Sequence, residues 1–280
     1  MVAVVLVAAF VVQAVGGVAE ARPVTVVAAG DIACPRHPCD PQRRTARIIR
    51  HVNPRAVLPL GDNQYSSGSL SSYRHSYGRT WGEFRNKTYP VPGNHEYDTR
   101  GARGYFRYFK RRAHGPGGYY SYNLGDWHLI ALNSERRTGH QKRWLRRDLR
   151  RDRHRCELAY WHQPRWSSGR EHGGTTAVAG WWKVLYRRGA DVVLNGHEHN
   201  YERFARLSPR GRSRPNGVRQ FVVGTGGYYL YGMGRSIRGS QRRVVKHGVL
   251  ALHLGSAAYR WRFLTTGGGE ADDGATACHR

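Results

Sequence analysis

Asp191-Val192-Val193-Leu194-Asn195-Gly196-His197-Glu198-His199 is a short, β-branched apolar run that stops at a glycine followed by two histidines spaced two apart. Such a run has the composition of a buried strand, and the Gly-led stop marks a loop. The same order occurs at four earlier points. Val24-Thr25-Val26-Val27-Ala28-Ala29 stops at Gly30-Asp31, and Ala56-Val57-Leu58-Pro59-Leu60 stops at Gly61-Asp62. Tyr89-Pro90-Val91-Pro92 stops at Gly93-Asn94-His95, and Leu158-Ala159-Tyr160-Trp161 stops at His162. Stretches suited to helices lie between these runs, at 41–51, 141–151 and 176–188, which makes a β-α-β alternation. Further on, Phe221-Val222-Val223 and residues 248–254 and 259–264 alternate with glycine-rich turns, predicting antiparallel strands that complete a second sheet. The expected fold is α/β: a four-layer α/β/β/α sandwich of two mixed β-sheets flanked by helices, in one domain, with a polar tail over 265–280.

In open α/β architectures, ligands bind beyond the carboxyl ends of the strands, where loops from distant parts of the chain meet. The five ends here carry Asp31, Asp62, Asn94, His162 and the pair His197 and His199. Two cations about 3.5 to 4 Å apart need such an inventory: a bridging carboxylate, a terminal carboxylate, an amide oxygen and neutral imidazoles. Each motif also has an ordinary reading. Gly-Asp after a strand is often a turn whose carboxylate caps backbone N–H groups, and two histidines two apart can share one face of a strand. The recurrence of all five in one order favours the metal pair.

Composition sets the surroundings. A chain of 280 residues with 39% hydrophobic content can bury a sizeable core unaided, so a metal is not needed to hold the fold. Residues 1–18 are almost wholly apolar and lead to Ala19-Glu20-Ala21, the small-x-small pattern of a signal peptidase site. The run is shorter than the ~20 residues of a spanning helix, and no basic residue precedes it; it reads as a cleaved leader over 1–21, ahead of a domain over 22–280, rather than as an anchor. Secretion fits the four cysteines, Cys34, Cys39, Cys156 and Cys278, which allow three pairings; Cys34 with Cys39 and Cys156 with Cys278 is favoured. No Cys-x-x-Cys spacing supports a cysteine zinc site. Net charge is +27, and lysine occupies only positions 87, 110, 142, 183 and 246, so arginine dominates the 46 basic residues. That field attracts anionic substrates and, nonspecifically, polyanions or nucleic acid, although the basic residues are scattered rather than gathered in one tract. No stable membrane partner and no protein partner is expected.

Gly30-Asp31, Gly61-Asp62-Asn63-Gln64-Tyr65, Gly93-Asn94-His95-Glu96, His162 and Gly196-His197-Glu198-His199 together resemble the calcineurin-like metallophosphoesterases, and within them the purple acid phosphatase branch in its compact secreted form. The resemblance implies a first metal held by Asp31, Asp62, Tyr65 and His199, with Fe(III) expected there because a phenolate at the tyrosine position marks that branch. It implies a second metal, Fe, Zn or Mn, held by Asp62, Asn94, His162 and His197. Asp62 would bridge, and small phosphate esters, monoesters first, would be hydrolysed by hydroxide supplied by the metals. His95 is the implied proton donor to the leaving group, and His172 falls where the branch carries a substrate-contacting histidine. Two departures stand out. Ile32-Ala33 and a Cys34-to-Cys39 loop follow Asp31, and Glu171 replaces a second histidine beside His172.

Overall fold

The protein is described from a computed structural model over residues 23–279; the expected leader over 1–21 lies outside the described residues. β1 (Val24–Ala29) and β2 (Ala56–Pro59) pair in parallel, which requires a crossover, and α1 (Asp40–Val52) supplies it. Proline in the first turn starts α1, and Asn53 in the left-handed region ends it with an N–H to Ile49 O bond of 2.9 Å. Its buried residues, Gln42, Thr45, Ala46 and Ile49, recur at helical spacing and form the face laid on the sheet. Short helical pieces follow, with α2 (Leu70–His75), α3 (Asn94–Tyr97) and α4 (Arg103–Phe109) gathered around buried Tyr73, Tyr77, Trp81 and Tyr105.

The rest of the chain runs β3 (Tyr120–Leu124), β4 (Trp127–Ala131), α5 (Gly139–Arg151), β5 (Cys156–Tyr160), α6 (Ala179–Arg188), β6 (Val192–Asn195), β7 (Tyr201–Leu207), β8 (Val218–Val223), β9 (Ser240–Val244), β10 (Gly248–Leu254), β11 (Ala258–Thr265) and β12 (Glu270–Ala277). Two mixed sheets result, in the orders β12-β11-β10-β1-β2 and β3-β4-β5-β6-β8-β7-β9. Alternation along the second sheet assigns its two faces. Leu129, Leu158, Tyr160, Val192 and Leu194 join the core shared with Val26, Leu58 and Leu252 of the first sheet. Ile130, Ala159 and Val193 point the other way, into a second core with Leu145, Leu149, Trp182 and Leu185 of α5 and α6. The layers are therefore helix, sheet, sheet, helix, as expected.

Three local expectations change. Residues 89–92 do not form a strand, because Pro90 and Pro92 have no N–H; only Tyr89 N and Val91 N bond to β2, at Val57 O (2.9 Å) and Pro59 O (3.1 Å). The supposed polar tail contains β12, an edge strand anchored where Asp272 accepts from Tyr201 (2.6 Å), Arg203 Nε (2.7 Å) and Trp261 Nε1 (3.1 Å). β10 and β11 complete the first sheet rather than the second, while β8 lies parallel to β6 in the second.

Both favoured disulfides are present, Cys34–Cys39 and Cys156–Cys278. The second spans 122 residues and ties the segment after β12 to β5. Restricting so long a loop in the unfolded chain stabilises the fold by about 2–5 kcal/mol. Cys278→Ser is expected to lower the free energy of unfolding by that amount, read from the denaturant midpoint at unchanged slope. Among the described residues no helix is long and apolar enough to cross a membrane.

Candidate metal centre

β1 and β2 are parallel, as are β4, β5, β6 and β8, so each sheet presents several carboxyl ends at one edge. Backbone bonds stitch these ends together: Asp31 N to Gly61 O (3.1 Å), Gly196 N to His162 O (3.0 Å) and, between the sheets, Gly30 N to Val223 O (2.8 Å). Asp31, Asp62 and His197 all adopt left-handed backbone conformations, with φ of 59°, 44° and 75°. Such conformations are costly for residues with a Cβ and cluster where side chains must converge. The approach is close enough that a Cβ on Gly93 would lie 2.2 Å from Asp62 Oδ1, which accounts for glycine there.

The expected residues meet in two groups. Tyr65 Oη lies 2.8 Å from Asp31 Oδ1, 3.1 Å from Asp62 Oδ2 and 2.9 Å from His199 Nε2. His162 Nε2 lies 3.2 Å from Asp62 Oδ2, 3.1 Å from Asn94 Oδ1 and 3.2 Å from His197 Nδ1. Asp62 belongs to both. The other carboxylate oxygens are held by backbone N–H groups, Asp31 Oδ2 by His197 N and Asp62 Oδ1 by His95 N, each at 2.9 Å.

Tautomers make the chemistry of the cluster specific. His162 Nδ1 faces Leu60 O at 2.9 Å and His199 Nδ1 faces Tyr229 O at 2.5 Å. A carbonyl only accepts, so both Nδ1 atoms carry hydrogen and both Nε2 atoms, the ones left to bind a metal, point into the oxygen cluster. Lone pairs aimed at one another at about 3 Å repel unless positive charge lies between them, and carbonyl-oriented imidazoles are how metal ligands are held. The donor set, carboxylate, amide, imidazole and phenol, fits two cations.

The same carboxylates also attract a proton to the inward imidazole nitrogens, which competes with a cation for that place. Burial opposes ionisation of Asp62 and Asp31, yet the neighbouring His162 and His199 hold both carboxyls below the usual range. Burial lowers His162, but Asp62 and Asp31 outweigh it and push the imidazole up to about 10. His197 goes down to about 3, first through burial and then through His162 and His172. Burial, with Asp31 and Asp62 beside it, raises the Tyr65 phenol well above its ordinary value.

His95 and His172 border the cluster. The His95 ring is one-third exposed, with Nδ1 2.5 Å from Ser66 O and 3.1 Å from Asp98, and with Nε2 3.9 Å from Asp62 Oδ2. His172, exposed, stacks on His197 at 4.2 Å. Arg203 is not at the site; it pairs with Asp272, an ordinary structural ion pair. A cavity of about 760 Å³ on the far side of the first sheet, lined by His253, Trp261 and Glu270 among others, contains none of the converging groups.

Several supporting residues were not foreseen. Buried Glu96 accepts from Asn63 N (3.0 Å), Gln64 N (3.2 Å), Gly93 N (2.7 Å) and Tyr73 Oη (2.9 Å), locking the Asp62 loop to the Asn94 loop. Burial and then Asp62 raise its carboxyl to about 8. Glu198, between the two histidines, accepts from His172 N (2.5 Å) and Gly173 N and so fixes the loop carrying His172. Tyr231 stacks on His199 at 3.9 Å and Tyr228 on Tyr65 at 3.7 Å. The signal for Glu96 and Glu198 was their place inside the ligand motifs; nothing local marked the two tyrosines.

Comparison with known proteins places this geometry. The family model described as calcineurin-like phosphoesterase matches residues 24–201. Purple acid phosphatase 15 of Arabidopsis thaliana is 30% identical over 223 residues, covering 65% of this chain and 42% of that protein. Purple acid phosphatase 18 of the same plant is 35% identical over 117 residues, 39% of this chain and 26% of that one. The chain thus spans less than half the length of these curated relatives. Among solved structures, the purple acid phosphatase PPD1 of yellow lupin (Lupinus luteus) superposes with a TM-score of 0.74 at 17% identity, covering 92% of this chain and 54% of that one. GAP50 of Plasmodium gives 0.71 at 14% identity, covering 92% and 90%. These two likenesses speak for the fold alone. With the family model covering most of the described residues, including all the converging groups, the chain belongs to the calcineurin-like phosphoesterases.

Proposed function

We propose that the chain is an exported, binuclear metal-dependent phosphatase that hydrolyses small phosphate monoesters. The observation that carries this reading is the meeting of seven donor residues in two groups sharing Asp62, with the Nε2 atoms of His162 and His199 turned inward. Asp31, Asp62, Tyr65 and His199 hold one cation, and Asp62, Asn94, His162 and His197 hold the other. Fe(III) suits the first site, because two carboxylates and a phenol offer it three hard oxygen donors beside one imidazole. Fe, Zn or Mn suits the second, which adds an amide oxygen and two imidazoles. When bound, the pair supplies Lewis acidity toward the phosphoryl group and lowers the pKa of water to give a nucleophile near neutral pH.

The protein's own groups do the rest. Leu60 O and Tyr229 O orient the imidazoles, and Glu96 keeps the Asp62 and Asn94 loops in register. His95 Nε2, facing the cluster, donates a proton to the leaving alkoxide, and His172, on the loop held by Glu198, contacts the substrate. The two disulfides support an oxidising compartment and hence export. The net charge of +27 draws phosphate esters toward the site.

Matched aryl phosphate monoesters and diesters test the substrate class. The monoester is expected to have the higher kcat/KM by about tenfold or more, which corresponds to about 1.4 kcal/mol at the transition state. A diester preference of the same size would replace the monoesterase with a phosphodiesterase on the same ligands.

A further inference from the structure

The start of β4 holds a second cluster of metal-binding groups, toward the opposite end of the second sheet from the candidate metal centre. His128 on β4 pairs in register with Glu157 at the start of β5, whereas His162 follows that strand's end. We propose that His128, Asp152 and His154 bind a divalent transition-metal ion of the zinc class, in a site separate from the centre described above.

One ligand atom from each of the three lies within 4.8 Å of the others, the same convergence that Asp62, His162 and His197 show. His154 Nδ1 is 2.6 Å and His128 Nδ1 3.8 Å from Asp152 Oδ1. Zinc–nitrogen bonds of about 2.0–2.1 Å in a tetrahedral site put ligand atoms roughly 3.4 Å apart, so the wider gap closes slightly and the narrower one, now a direct hydrogen bond, opens by a little under about 1 Å. His128 Nε2 lies 2.8 Å from Asp148 Oδ2, and a carboxylate accepts, so that nitrogen carries hydrogen. Its Nδ1 is then the one turned toward Asp152; the hydrogen it offers to Asn123 Oδ1, 2.8 Å away, is the one a metal ion would displace, leaving that amide oxygen as a further donor. A carboxylate on the far nitrogen is the arrangement that orients metal-bound imidazoles.

Asp152 supplies the independent observation. Its side chain is 2% exposed, and while Oδ1 meets His154, Oδ2 is buried with no hydrogen-bond partner. A buried carboxylate oxygen left alone is costly, and a cation beside it removes that cost. In a chain of net charge +27, the carboxylates of Asp148, Asp152 and Glu157 surround His128. His154, 28% exposed, gives an ion access from solvent. Two imidazoles with carboxylate and amide oxygens are the donors of a borderline ion such as Zn²⁺ rather than of Mg²⁺ or Ca²⁺.

The alternative occupant is a proton, leaving His128 an imidazolium among carboxylates. Metal analysis separates the two. The full chain, stripped with chelator, reloaded with Zn²⁺ and dialysed, is compared with His154→Ala. The variant is expected to hold one Zn²⁺ fewer per chain, whatever the total, with aryl phosphate turnover within about twofold of the parent, as expected for an interaction not used in the reaction. Asp148→Asn, which keeps the shape of the side chain, is expected to weaken uptake of that same ion about 10- to 100-fold. Equal zinc content in parent and His154→Ala, or unchanged affinity in Asp148→Asn, overturns the site and leaves the protonated ion pair. Should His154→Ala not fold, the Asp148→Asn titration decides alone.

Discussion

Asp62→Ala is expected to yield a folded chain that no longer holds a pair of metals and whose phosphatase turnover falls by at least about a thousandfold. Asp62 is the only residue placed in both donor groups, with Oδ2 3.1 Å from Tyr65 Oη and 3.2 Å from His162 Nε2. Removing it takes a negative charge from each proposed cation at once and deletes the bridge between them. It also frees His95 N, whose bond to Asp62 Oδ1 holds the first turn of α3 against the site. Asp31→Ala makes the contrast. Asp31 Oδ1 meets only Tyr65 and His199, and its Oδ2 reaches the other group solely through the backbone N–H of His197, so that variant is expected to lose one metal and keep the other. Metal content by mass spectrometry, read beside circular dichroism, distinguishes a lost site from a lost fold. Two metals per chain in folded Asp62→Ala would sink the bridging assignment.

The proposed ligands were legible in the sequence because, Asn94 excepted, each stands at or shortly after the stop of an apolar strand, where one-dimensional pattern and three-dimensional position coincide. Buried parallel strands are short apolar runs, and in this fold their ends share an edge, so strand followed by Asp, Asn or His reads directly as convergence. What could not be read is what depends on partners distant in the chain. Residues 89–92 are apolar and stop at Gly93-Asn94 like the true strands, but whether two prolines permit pairing depends on which N–H groups the neighbour needs. β12 was invisible because Glu-Ala-Asp-Asp-Gly-Ala-Thr-Ala has little strand propensity; contacts made by Asp272 to Tyr201, Arg203 and Trp261 hold it in place. The tautomers of His162 and His199 belong to the same class. They are set by Leu60 O and Tyr229 O, backbone atoms whose identity the sequence does not encode.

His95→Ala is expected to leave both metals bound and the fold intact while slowing turnover about a hundredfold or more, the usual scale for a lost proton donor. The ring lies outside both donor groups, so metal content has no reason to change. Its Nδ1 is turned to Ser66 O and Asp98, which aims Nε2 toward Asp62 Oδ2 at 3.9 Å, over the place where the donor groups meet. Stacking against Tyr65, with ring centres 4.5 Å apart, limits rotation. A group held this way reaches a leaving oxygen without competing for a cation. If its part is to give that oxygen a proton, the loss depends on how badly the oxygen needs one: large for an alkyl phosphate, smaller for a nitrophenyl phosphate, whose phenolate leaves unaided. The sensitivity of rate to leaving-group pKa is therefore expected to steepen in His95→Ala, whereas a residue that merely shapes the pocket would lower all rates in proportion. An equal loss across the series, with metals retained, would move the proton donor elsewhere, and exposed His172, stacked on His197, is the next to substitute.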